Sequence, residues 1–158
     1  MTTFAECLPV ILRFEGGSLV IEDPRDPGGL TKYGISQRAF PTLDIRNLTE
    51  AGAADIYRRE YWDRLKADTL PPKLRLVMFD AAVNMGVGKA VLLLQKAVGV
   101  AQDGILGANT IRAAERLPDA LARFCAERAL AYSGMRGFDV YGREWLRRSF
   151  TAALESNK

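Results

Sequence analysis

The sequence predicts a mainly α-helical fold with a small hairpin or loop lobe near its N-terminus. Three observations lead there. A capped, apolar-striped helix opens the chain, glycine and proline then cluster between residues 16 and 46, and helical spacing of apolar residues dominates from Leu48 onward. With 158 residues and 48% hydrophobic composition, the chain can bury one sizeable core. A single domain over residues 1–158 is expected, made of an N-terminal segment (residues 1–86) and a helical C-terminal segment (residues 87–158).

Thr3 and Glu6 have the S/T-x-x-E spacing of a capping box, and Phe4, Cys7, Leu8, Ile11 and Leu12 follow at helical intervals. Pro9 sits inside this helix, where it removes one backbone hydrogen bond and favours a bend. Gly16 and Gly17 supply a helix stop, which puts Glu15 in the last turn. Residues 18 to 46 carry Pro24, Pro27 and Pro41 and the Pro27-Gly28-Gly29 punctuator, with short apolar segments at Leu19 to Ile21 and Tyr33 to Ile35. A small hairpin or irregular lobe fits that pattern. Helices are then predicted at roughly 49–65, 72–85, 88–98, 108–116, 118–133 and 142–155. Thr49 serves as an N-cap, and Leu74, Val77, Met78, Ala81, Ala82 and Met85 form one stripe while Asp80 and Asn84 share another face. The Val98 to Gly107 stretch is a glycine-punctuated link inside the core, and no solenoid-type repeat is present.

The chain contains no histidine. That excludes Ser-His-Asp and Cys-His catalysis, His-containing zinc sites and His proton shuttles, and it leaves carboxylates as the acid-base groups. Cys7 and Cys125 lack metal-ligand spacing and read as small buried hydrophobes. A net charge of +3 and a pI near 9.0 suit an anionic partner such as cell-wall polymer, nucleic acid or lipid headgroups, or serve solubility alone. Arg136, Arg143, Arg147 and Arg148 make either one basic patch or a solvated helix face. No apolar run has membrane-helix length and no secretory signal is read at the N-terminus, so synthesis in the cytoplasm is expected.

The chemistry concentrates between residues 15 and 35. A glutamate in the last turn of a helix meets the negative end of the helix dipole, and partial burial at a lobe junction disfavours its charge; both effects raise its pKa. Such a carboxyl can protonate a departing glycosidic oxygen. The plainer alternative is an exposed helix-end glutamate. Asp23 and Asp26 lie eight and eleven positions later in a loop able to fold back, so one of them can face Glu15 across a cleft, and Thr31 can position a water. Turn formation accounts for at least one of the two aspartates. Gly86-Val87-Gly88-Lys89 is not a phosphate loop, because Val83 occupies the position of its first glycine, and the Asp23 loop is not an EF-hand, because Gly34 stands at its twelfth position. Asn47-Leu48-Thr49 reads as a helix start. Tyr57, Tyr61 and Trp62 read mainly as core, with one of them free to stack on a sugar, and Tyr141 and Trp145 are read in the same way.

Glu15-Gly16-Gly17, Asp23-Pro24, Asp26-Pro27-Gly28-Gly29, Thr31, Gly34-Ile35 and Tyr61-Trp62 together resemble glycoside hydrolase family 108, lysozyme-like N-acetylmuramidases found as phage endolysins and in bacterial secretion or lysis systems. Phe79-Asp80 with Asn84, Leu94-Gln95, Gly99-Val100, Asp103-Gly104, Gly107 and Thr110 resemble the peptidoglycan-binding region that accompanies it. Ser18 stands where members often carry an aromatic residue. The resemblance implies a lysozyme-like fold and cleavage of the β-1,4 bond between N-acetylmuramic acid and N-acetylglucosamine. It assigns residues 1–86 to the muramidase and residues 87–158 to the wall-binding region. It implies Glu15 as the catalytic acid, with Asp26 and Thr31 the nearest matches to the catalytic Asp and Thr of phage-type lysozymes. Substrate contacts are expected from Asp23, Tyr33, Tyr61 and Asn84.

The resulting expectation is a monomeric peptidoglycan hydrolase that needs no metal or organic cofactor. It would bind glycan strands but no nucleic acid, insert in no membrane, and reach the periplasmic wall through a separate holin-like pore. Two other readings compete: a wall-binding module without turnover, and a small basic nucleic-acid-binding protein.

Overall fold

The computed structural model describes residues 2–22 and 29–157. Asp23 and Asp26 lie outside the described residues.

Helix α1 (Phe4–Phe14) opens on the expected capping box: Thr3 Oγ1 accepts from the Glu6 backbone N–H, and the Glu6 carboxylate accepts from the Thr3 N–H. Pro9 sits within it on the exposed side, opposite the buried Cys7, Leu8, Val10, Ile11 and Leu12. The helix ends one residue earlier than expected, with Glu15 as its C-cap. Gly16 takes φ +84°, and the Gly17 N–H bonds back to the Leu12 carbonyl at 2.8 Å, a Schellman closure that satisfies an orphan carbonyl.

A hairpin docks on that closure. Strands β1 (Thr31–Lys32) and β2 (Ile35–Ser36) pair antiparallel, Thr31 opposite Ser36 and Lys32 opposite Ile35, and Ile21 adds a bridge to Thr31. Both turn residues have positive φ, Tyr33 at 53° and Gly34 at 72°, the geometry of tight two-residue hairpins. A left-handed tyrosine is unfavourable unless its surroundings fix it. Here its N–H bonds the Gly17 carbonyl at 3.0 Å and its own carbonyl accepts the Tyr57 hydroxyl at 2.8 Å.

Helix α2 (Glu50–Tyr57), capped by Thr49, runs into a π-helical turn (Arg58–Trp62) and then α3 (Asp63–Leu65). The single helix expected over 49–65 is thus interrupted by one wide turn, a device common at functional sites. That turn carries Tyr61 and buries Trp62, whose ring meets Phe4 and Phe79 edge-on at centroid distances of 5.5 and 5.3 Å.

Helix α4 (Pro72–Met85) is the central element, with Leu74 and every residue from Leu76 to Ala82 buried. Helices α5 (Val87–Ala97), α7 (Ala120–Ser133) and α8 (Phe138–Ser156) pack around it, and α6 (Ala108–Arg116) lies on α5. Helix α8 starts four residues before the expected position. One continuous hydrophobic cluster reaches from Cys7 in α1 to Ala152 in α8. No helix among the described residues is long and apolar enough to cross a membrane.

Candidate active site

Glu15 stands where three elements meet: the end of α1, the turn of the hairpin, and α8 arriving from the far end of the chain. Its side chain is 20% exposed and lines a hollow of about 80 Å³ with Gly34, Ile35, Tyr57 and Tyr61 among the walls. The two carboxyl oxygens have different surroundings. Oε1 accepts a 2.6 Å bond from Nη2 of Arg148, and Oε2 faces Gly34, close enough that a Cβ on that residue would lie 2.6 Å away.

Arg148 is one of the four late arginines, and it belongs neither to a solvated face nor to a surface patch. Its side chain is 16% exposed, its guanidinium sits 5.2 Å from the centre of the Phe14 ring, and its Nε donates to Asp80 Oδ1 at 2.7 Å. Asp80 is fully buried and accepts at Oδ2 from Nη1 of Arg128, also fully buried, at 2.6 Å. Arg128 Nε donates to the Tyr132 hydroxyl at 3.0 Å, and that hydroxyl donates to Asn84 Oδ1 at 2.6 Å. Arg128 Nη2 has no partner among the described residues. Alternating charges therefore run from Glu15 to Arg128 through the centre of the fold, and the neutral Tyr132 hydroxyl extends the chain to Asn84. Charge-assisted bonds of this length are the strong kind, and a buried charge is tolerable only when so paired. Burial pulls the Arg148 guanidinium's pKa down, but the Asp80 and Glu15 carboxylates outweigh it and leave it above the ordinary arginine value. Burial also raises the hydroxyls of Tyr57 and Tyr61, and the nearby charge of Glu15 adds to both shifts. Both are neutral donors at any working pH.

The remaining expected residues fall in four places. Tyr61 lines the hollow with Glu15, its ring 5.7 Å from that of Tyr57. Tyr33 is 8% exposed and belongs to the core, and its link to the site is its backbone carbonyl, which accepts the Tyr57 hydroxyl. Thr31 lies two residues before the turn in β1, and its hydroxyl donates to the Gly29 carbonyl at 3.3 Å. Asn84 is exposed and lines a separate hollow of about 410 Å³ with Phe14, Trp145 and Arg148, and neither Glu15 nor the hairpin turn is among the walls of that hollow. Arg128 and Tyr132 are participants that the sequence did not single out, and Arg148 and Tyr57, read there as patch or solvated face and as core or sugar stacker, take other roles here. In the second half, Gln95 turns inward: its Nε2 donates to Asp103 Oδ1 at 2.6 Å and its Oε1 accepts from the Gly104 N–H at 2.9 Å, which shapes the link before α6.

Residues 8–86, from α1 to the end of α4 and including Glu15, Gly34, Tyr57 and Asp80, match the family Glycosyl hydrolase 108. The chain belongs to that family. Among solved structures, SagA of Brucella abortus superposes with a TM-score of 0.85 at 32% identity, covering 98% of this chain and 93% of that one. No curated protein matches the sequence. The family 108 chain is therefore a glycoside hydrolase acting on peptidoglycan, with a mainly α, lysozyme-like fold. Among its described residues no group of His, Cys, Asp or Glu could hold a metal ion.

Proposed function

We propose that this protein is an N-acetylmuramidase in which Glu15 protonates the leaving oxygen of the β-1,4 bond between N-acetylmuramic acid and N-acetylglucosamine. The observation that carries this reading is the asymmetry of the Glu15 carboxyl. With Oε1 occupied by Arg148, a proton on the acid resides on Oε2, beside the hairpin turn and the hollow shared with Tyr61. A glycosidic oxygen brought to Oε2 can take that proton as its bond breaks, the general-acid half of glycoside hydrolysis. In this reading Asp26 is the second carboxylate and Thr31 holds water, with Asp23 and Tyr61 contacting the sugar. Clearing of purified sacculi by native protein and by Glu15→Gln is the test. Clearing at equal rates removes Glu15 from the reaction, and mass spectrometry of the released reducing ends separates a muramidase from a glucosaminidase or a transglycosylase.

We further propose that residues 87–158 hold the glycan strand and lend Arg148 to the site while residues 1–86 supply the acid, and that the protein serves lysis as a monomeric endolysin released from the cytoplasm by a separate holin-like pore. Support for the holding role comes from the hollow of about 440 Å³ lined by Asp103, Ile105, Asn109 and Thr110. Secretion into the medium when the protein is expressed alone contradicts the pore requirement. Loss of sacculus pelleting on substitution of Asn109 would support the division of labour.

A further inference from the structure

Arg148 comes from α8, 133 residues away from Glu15, yet it is the group in closest polar contact with that carboxyl. Its two donors serve two different acids: Nη2 takes Glu15 Oε1 at 2.6 Å and Nε takes Asp80 Oδ1 at 2.7 Å. Asp80 is fixed in turn by the buried Arg128, so the guanidinium is clamped from behind and covered on one side by Phe14. An arrangement that serves only to neutralise Glu15 would need one cation. The observed one spends a planar fork, a second arginine and a fully buried aspartate on holding a single orientation.

We propose that Arg148 is the positioning residue of the hydrolase, set by Asp80, and that it fixes which oxygen of Glu15 carries the transferable proton. The inference rests on the reading of Glu15 as the acid. By occupying Oε1, Arg148 leaves Oε2 as the protonation site and stops the carboxyl from rotating its proton away from the hairpin. As the proton leaves for the glycosidic oxygen, negative charge returns to a carboxylate that the guanidinium already contacts, so no reorganisation of Arg148 is needed. A lysine cannot replace it, because one ammonium on a flexible stem does not span both carboxylates in a fixed plane.

The test uses the whole chain, with kcat and KM measured on soluble, uncrosslinked glycan strands and folding followed by thermal melting. Arg148→Ala is expected to lower kcat by about 10²-fold, the scale of a misplaced catalytic group, with KM within about twofold. Arg148→Lys keeps the charge and most of the stem and is expected to lose at least about tenfold in kcat with KM unchanged. The hollow of about 410 Å³ that borders Arg148 gives a small cation a way in. Millimolar methylguanidinium is therefore expected to restore kcat of Arg148→Ala saturably, whereas methylammonium does not. Wild-type kcat in either variant overturns the proposal. So does a loss in Arg148→Ala that both cations rescue equally, or that neither rescues, while the variant melts cooperatively. If Arg148→Ala does not fold, the kcat and KM of Arg148→Lys decide. Glu15→Gln is measured beside them: its retention of activity sinks the reading of Glu15 itself, whereas its inactivity alongside fully active Arg148 variants sinks only the positioning role.

Discussion

Gly34 is pressed against Glu15 so closely that a methyl group at its α-carbon would lie 2.6 Å from Glu15 Oε2 and 2.8 Å from both the Glu15 Cβ and the Tyr57 hydroxyl oxygen. The turn of the hairpin is thus the wall against which the carboxyl is seated. Gly34→Ala meets two penalties, a left-handed φ of +72° that costs an L-residue about 1–2 kcal/mol and a collision that must move the acid, the tyrosine or the turn. Activity on sacculi is expected to fall by at least about tenfold. Gly17→Ala is the control, since Gly17 also has a positive φ of +62° but open space around its α-carbon. It should lose only the about 1–2 kcal/mol of the left-handed backbone and keep its activity; equal activity losses in the two variants would refute the contact argument.

The Tyr132 hydroxyl joins Arg128 to Asn84, receiving from one and donating to the other. Tyr132→Phe leaves a donor of a fully buried guanidinium without its acceptor, in a group that already has one unpartnered nitrogen. Leaving such a donor unpaired costs about 1–3 kcal/mol, which corresponds to a drop in melting temperature of roughly 3–10 °C for a chain of this length. Calorimetry checks this directly. A melting point within about 1 °C of wild type would mean that the hydroxyl does not support the chain of charges.

The contrast between α1 and α8 shows what the sequence could reveal. The start of α1, its stop and the position of Glu15 are local features, set by Thr3, Glu6, Gly16 and Gly17 within a few residues of one another, so spacing alone locates them. The hairpin is legible only as a small lobe, because its turn at Tyr33–Gly34 falls inside a segment that reads as an apolar run and is held by Gly17 and Tyr57 from outside it. Arg148 and Asp80 are joined across 68 positions and Arg148 and Glu15 across 133, and no periodicity connects residues so far apart. Asp80 and Asn84 are legible as one face of α4; that this face looks at two arginines depends on how α7 and α8 pack. The π-turn at Arg58–Trp62 was illegible for another reason, since its residues suit an ordinary helix.

Glu6 gives a pH signature confined to the first turn of α1. Its carboxylate accepts from the backbone N–H groups of Thr2 at 2.7 Å and Thr3 at 3.0 Å, and these bonds, with that from the Thr2 hydroxyl, lower its pKa from 4.5 to about 2. Because the folded value lies below the unfolded one, the stabilisation is fully present above about pH 4.5 and is lost as pH falls toward about 2. The melting temperatures of wild type and Glu6→Gln should therefore differ near neutrality and converge on acidification through that window. A gap of constant size across the window would show that the bonds do not depend on the charge.

Cys7 lies in the buried stripe of α1 with no exposed surface, and burial pushes its thiol up to about 11. At about pH 8 only about one thiol in a thousand is ionised, and the thiolate is the form that attacks an alkylating reagent. Native protein should leave Cys7 unmodified by iodoacetamide over hours, and unfolding in guanidinium should expose it to complete reaction. Reaction speed should then report on global opening of the core between α1 and α4, because Cys7 packs in the same cluster as Leu74 and Val77. Peptide mapping by mass spectrometry reads Cys7 separately from Cys125. Rapid labelling of Cys7 in folded protein would mean that α1 detaches on its own, and with it the Glu15 carboxyl that the helix holds in place.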